Sequence, residues 1–111
     1  ENVMLEHIVM WQMNDDLENV EIVKNLIKER VEALDGVVPD VRKIEVMKDM
    51  AETSTHDIAI FVHVEAEKAL ERYLRHEAHV EVSEKFIKPY TKNRVCIDFK
   101  IKPSGNRFYN Q

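Results

Sequence analysis

Between Tyr73 and His79 the chain places one phenol and two imidazoles within seven residues: Tyr73, His76 and His79 follow one another at intervals of three. On a continuous helix each successive pair would share a face. A break near residue 76 would change which side chain points inward. Histidine, with an ordinary pKa of about 6.5, exchanges a proton readily near neutrality. A phenol in a water-poor cavity can donate a hydrogen bond to developing oxyanion charge. Three more histidines, His7, His56 and His63, lie in the β-patterned parts of the chain.

The elements that would carry these groups follow from hydrophobic periodicity. Residues 3–13 alternate as a strand, with Leu5, His7, Val9, Trp11 and Met13 on one side and Met4, Glu6, Ile8, Met10 and Gln12 on the other. Asn14, Asp15 and Asp16 offer a helix start, and Leu17, Val20, Val23, Ile27, Val31 and Leu34 form one stripe at three- and four-residue spacing. Gly36 suits the left-handed residue that ends a helix, and Pro39 keeps the helix from resuming. A second strand is expected over 41–48. A third is expected over 56–64, with His56, Ile58, Ile60, Val62 and Val64 opposed to Asp57, Ala59, Phe61 and His63. Helical segments are expected over 66–74 and from Glu77 to about Lys88, where Pro89 ends the second. A last strand over 94–102 carries Val95, Ile97, Phe99 and Ile101 on one face.

This order, β-α-β-β-α-β, is the ferredoxin-like α+β arrangement, with a four-stranded antiparallel sheet and the helices on one of its faces. Residues 3–102 form one domain, and 103–111 are expected to be a flexible C-terminal tail. The strands are apolar on both sides. The helix-free face would expose more apolar surface than soluble monomers usually tolerate, so a homodimer is expected, with Val9 and Ile97 as candidates for its interface.

Composition narrows the partners. With 111 residues, 44% of them hydrophobic, the chain can build one core. A net charge of −5 without a Lys/Arg cluster argues against nucleic acid and against an anionic membrane surface. No apolar run is long enough to span a bilayer, and Cys96, the single cysteine, allows neither an intrachain disulfide nor a cysteine metal cage. A reducing cytoplasmic setting is the expectation.

The run from Tyr73 through His76, His79 and Val80 to Phe86-Ile87-Lys88-Pro89 resembles the signature of the Dabb family, the stress-responsive dimeric α/β-barrel domains. His7-Ile8-Val9 in the first strand, Leu34-Asp35-Gly36 before the second, and Arg94-Val95-Cys96-Ile97-Asp98-Phe99 near the end extend the resemblance over residues 3–102. It implies two sheets closing face to face as a dimeric barrel, mostly without an assigned reaction, and a cavity for a small apolar or aromatic molecule. One branch, the plant polyketide cyclases, implies cofactor-free chemistry, with His79 removing a proton beside a carbonyl and Tyr73 holding the enolate oxygen. Cofactor-free monooxygenases occur among related dimeric α/β barrels. In the cyclase branch His7 and His56 would line the cavity, and His76, Trp11 and Ile58 are counted with them. The bland alternatives are a packed or capping His79, a Tyr73 that only fills the core, and strand histidines satisfied by hydrogen bonds. Glu77 stands where the family usually has proline, and a carboxylate there could pair with His76 or His79 and raise its pKa. No cofactor is expected, and no metal, since two histidines without a further ligand motif make a weak site; backbone carbonyls around residues 37–41 stay open as a cation site.

Overall fold

The computed structural model describes residues 3–107. Its elements are β1 (Met4–Met13), α1 (Val20–Glu32), β2 (Val41–Met47), β3 (Ile58–Val64), α2 (Glu67–Arg75), α3 (Glu77–Val82), a single π-helical turn (Ser83–Ile87) and β4 (Thr91–Ile101). The strands form one antiparallel sheet in the order β2-β3-β1-β4. This is the expected ferredoxin-like topology.

The helices cover one face. Ile27 and Val31 of α1, with Leu34 and Val38 beyond its end, pack with Ala69, Leu70 and Tyr73 of α2 on Leu5, Ile44, Val46, Ile58, Ile60, Val62 and Val64. Each fully buried aliphatic side chain in this layer contributes about 1.5–3 kcal/mol. Helix α1 also shields the edge strand β2: Glu32 accepts a hydrogen bond from the Val46 amide at 2.9 Å, and Lys28 donates to the Val46 carbonyl at 2.8 Å. Backbone groups that would otherwise invite another strand are thereby occupied.

Several boundaries differ from the sequence expectation. Helix α1 starts at Val20, three residues later than the Asn14–Asp16 cap would place it, because Asn19 takes the cap and accepts from the Ile22 amide at 3.1 Å. Asn14 serves the tertiary structure instead, its backbone amide reaching the Tyr90 carbonyl and its side chain the Pro89 carbonyl. Strand β3 begins at Ile58, so His56 lies in the preceding loop. The second helical region is two pieces. His76 has extended backbone (φ −60°, ψ 136°), ends α2, and caps α3 by accepting the Ala78 amide on Nδ1 at 3.1 Å. Glu77 takes the first position of α3, where a negative charge favours the helix dipole as proline would favour the geometry.

The opposite sheet face carries Ile8, Met10, Met47, Ala59, Phe61, Val95, Ile97 and Phe99 by strand register. Ile97 is 55% exposed and Met47 46%. Val9 belongs to the other side, 3% exposed beneath the helices, and so drops out as an interface candidate. At one end this face holds Glu6, fully buried, which accepts from Arg107 at 2.6 and 2.8 Å and faces His63 at 3.3 Å. Residues 103–107, expected as part of a flexible tail, turn back to make this contact. Gly105 adopts φ +88°, and a Cβ there would stand 3.7 Å from the His63 ring. Residues 108–111 of the expected tail lie outside the described residues.

Candidate functional site

A cavity of about 200 Å³ opens between the β1 side of the sheet and the helices. Its floor is His7, Val9 and Trp11 of β1 with Ile60 of β3; its walls are Val31 and Leu34, Tyr73 and Leu74, and His79 and Val82. Ser83 and Ile87 of the π-helical turn, with Lys88 and Arg94, complete the lining. The π turn is closed by the Lys88 amide reaching back to the Ser83 carbonyl at 2.9 Å. That wider winding shifts side-chain directions relative to an α-helix, and so the periodicity of residues 77–88 did not show which of them line the cavity.

Tyr73 stands between two imidazoles. Its ring centroid is 4.6 Å from that of His79 and 6.4 Å from that of His7, the latter edge-on. Both histidines have Nδ1 engaged. His79 Nδ1 lies 3.1 Å from the Leu74 carbonyl, an acceptor only, so Nδ1 carries the proton and Nε2 keeps its lone pair. His7 Nδ1 lies 2.5 Å from Asp98 Oδ1 across the β1–β4 ladder, and since the carboxylate only accepts, Nδ1 is the donor. Burial lowers the His79 pKa; the Leu74 carbonyl opposes this, while His7, Arg94 and His76 add to the lowering. Glu77 is not among the groups acting on it, so the expected carboxylate-driven rise is not found. Burial raises the Tyr73 pKa, which keeps the phenol protonated. Among the described residues none hydrogen-bonds the Tyr73 hydroxyl.

Of the residues singled out by sequence, His7, Trp11, Tyr73 and His79 meet around the cavity. Three others do not. His76 is spent on its cap and faces a shallow surface depression with Arg75, Glu77 and Val80. His56 sits in the loop before β3, its Nδ1 3.0 Å from the Thr55 hydroxyl and its Nε2 3.3 Å from the Asn93 carbonyl. Ile58 is fully buried in the core, away from the cavity. Asp98 and Arg94 were missed. Their alternation with Val95 and Ile97 was visible as a polar face of β4, but the register that sets Asp98 opposite His7 was not.

Among the described residues one group of metal-ligating side chains comes together, His7, Cys96 and Asp98, with ligand atoms within 4.8 Å of one another. In it His7 Nδ1 already donates to Asp98, and the Cys96 thiol is pushed up in pKa by burial and by Asp98, so the group is satisfied without an ion. No described helix is long and apolar enough to cross a membrane.

Fold and site together define a ferredoxin-like α+β domain with a small, histidine-lined cavity between sheet and helices. The family model described as Stress responsive A/B Barrel Domain, Dabb, matches residues 5–101, and the chain belongs to that family. A solved dimeric protein of unknown function and ferredoxin-like fold from Bacteroides fragilis is 32% identical, with a TM-score of 0.79, over 88% of this chain and 96% of that one. A dimeric ferredoxin-like protein of unknown function from Thermobifida fusca is 18% identical (TM-score 0.77, covering 91% and 93%). A Dabb family protein from Mesorhizobium loti shares the fold at 14% identity (TM-score 0.72, covering 87% and 95%). No curated protein matches the chain.

Proposed function

We propose that this Dabb domain works as a homodimer that binds a small, largely apolar or aromatic molecule in the cavity of each chain. The observation that carries the ligand reading is the cavity itself, apolar on most of its walls yet holding a phenol, whose hydroxyl no described residue bonds, between the imidazoles of His7 and His79. Pockets of that composition, with a few convergent polar groups, are where small molecules bind. The dimer reading is supported by the exposed Ile97, Val95 and Met47 on the helix-free face and by relatives described as dimeric. A reducing cytoplasmic setting fits the single, exposed Cys96.

Thermal unfolding of the wild type and of His79→Ala, screened against phenols, lactones and medium-chain acids, tests the ligand reading. A ligand at 100 times its dissociation constant stabilises the fold by about 2.7 kcal/mol. Stabilisation of the wild type that is lost in His79→Ala is the expected result. Absence of any shift across these classes counts against the reading.

One specific observation favours acid–base chemistry as a second reading. His79 keeps a free Nε2 and a lowered pKa, and the neutral Tyr73 phenol stands beside it. A neutral base next to a hydrogen-bond donor is what proton removal beside a carbonyl requires. Deuterium uptake at the carbon adjacent to the carbonyl of a bound ketone, followed by NMR and lost in His79→Ala, is the outcome expected. Tight binding with no exchange would leave the domain a binding protein.

A further inference from the structure

The rim of the cavity holds a guanidinium. Arg94 sits on the edge strand β4, on the helix side of the sheet, and lines the cavity with His79 and Tyr73. Four other arginines are already engaged, Arg42 with Glu65, Arg72 with Asp40, Arg107 with Glu6, and Arg30 over the Phe86 ring at 4.8 Å, and Arg75 lines a separate surface depression. Among the described residues no carboxylate lies within ion-pair distance of Arg94, which hydrogen-bonds the Cys96 thiol and whose charge is felt by the His79 imidazole. Asp98, further along the same face of β4, is committed to His7. Lys88, the other cation in the lining, is held by Glu84 at 2.6 Å. The cation of the rim without a carboxylate at ion-pair distance, among the described residues, is therefore the Arg94 guanidinium.

A guanidinium offers paired N–H donors in a plane, the geometry that a carboxylate accepts with two parallel hydrogen bonds. A phosphate monoester would bring close to two negative charges to a single guanidinium. The volume sets the rest of the ligand. A cavity of about 150 Å³ accommodates benzene, so the roughly 200 Å³ here takes one ring and a few further atoms. We propose that the cavity recognises small monocarboxylic acids, with a single ring or an aliphatic body of similar size against Val9, Ile60 and Val82 and the carboxylate on Arg94. This rests on the cavity being a ligand site, as proposed above. It adds that Arg94 is the specificity-determining residue and that the ligand is an acid.

The test compares phenylacetate with phenylacetamide, an acid and its neutral near-isostere, by titration calorimetry on the full chain. Wild type should bind the acid at least about tenfold more tightly than the amide, which is the scale of one charge-assisted pair. Arg94→Gln should abolish that preference. Arg94→Lys, which keeps the charge without the fork, should retain only part of it. Arg94 is exposed, so an unchanged unfolding midpoint is expected for both variants and certifies the comparison. Equal binding of acid and amide by the wild type overturns the carboxylate proposal and leaves the ligand site standing, as does an acid preference that survives Arg94→Gln. Binding of neither probe overturns both.

Discussion

The ring of Tyr73 lies 4.6 Å from the imidazole of His79 at an interplanar angle of 53°, with the Tyr73 side chain buried and its hydroxyl unbonded to any described residue. Two roles are superposed in that contact. The ring fills the layer between α2 and β1, and the hydroxyl is left over for something that enters the cavity.

Substitution separates the two roles. Tyr73→Phe keeps the packing and gives up no hydrogen bond among the described residues, so its chemical-denaturation stability should stay within about 0.5 kcal/mol of wild type. Tyr73→Ala removes the ring and should cost about 3–5 kcal/mol. If Tyr73→Phe destabilised by as much as the alanine variant, the hydroxyl would have to be satisfied inside the folded chain. Ligand affinity, by contrast, should fall in Tyr73→Phe.

The lowered pKa of His79 makes stability pH-dependent with a definite sign. The unfolded chain takes up a proton on this residue at about pH 6.5, before the folded chain does. The contribution of the neutral imidazole is therefore fully present above about pH 6.5. It is lost progressively as the pH falls from there through the folded-state value. Urea unfolding of wild type and His79→Gln at pH 7.5 and pH 5.5 should show the wild type losing more stability on acidification than the variant. An equal loss in both would place the pH dependence elsewhere.

Ile97 and Val9 distinguish the two sheet faces. Ile97, 55% exposed and opposite Ile8 on the helix-free face, should dissociate the dimer when changed to Asp, raising the dissociation constant about a hundredfold or more while the chain keeps its circular dichroism. Val9→Asp would bury a carboxylate under the helices and should unfold the chain instead. Light scattering at micromolar concentration reads the first and far-ultraviolet dichroism the second. A dimeric Ile97→Asp protein would remove this face from the interface.

Burial alone would push the Glu6 carboxyl up, but the Arg107 hydrogen bonds and the nearby His63 outweigh it and the pKa is lowered. Arg107→Ala leaves a fully buried carboxylate with only His63 beside it and should cost about 1–3 kcal/mol at pH 7. The contribution of a lowered carboxyl is present above its unfolded pKa and disappears as the pH falls through the folded value, so the difference between wild type and variant should shrink in acid. Thermal unfolding at pH 7 and pH 4 checks it. A variant as stable as wild type at pH 7 would mean that Glu6 is satisfied without the tail.

The order of elements, the two-sided apolar character of the strands and the family are all legible in the residue pattern alone. Strand alternation and helix periodicity are local signals, written in the spacing of residues such as Ile58, Ile60 and Val62 or Ile27 and Val31. They also carried His7, Trp11 and Tyr73, each on a face that periodicity assigns to the interior, whereas His79 was singled out by the resemblance of its motif to the Dabb signature. Tertiary structure decided the rest. His76 left the cavity because the backbone breaks there and its imidazole is spent on a cap. His56 left because Ile58, not His56, opens β3. Asp98 and Arg94 entered because the antiparallel register of β1 and β4 sets Asp98 beside His7 and puts Arg94 on the same side of the sheet. A pairing between residues 91 positions apart has no trace in local pattern; only the closed ladder brings that imidazole and carboxylate within hydrogen-bonding distance.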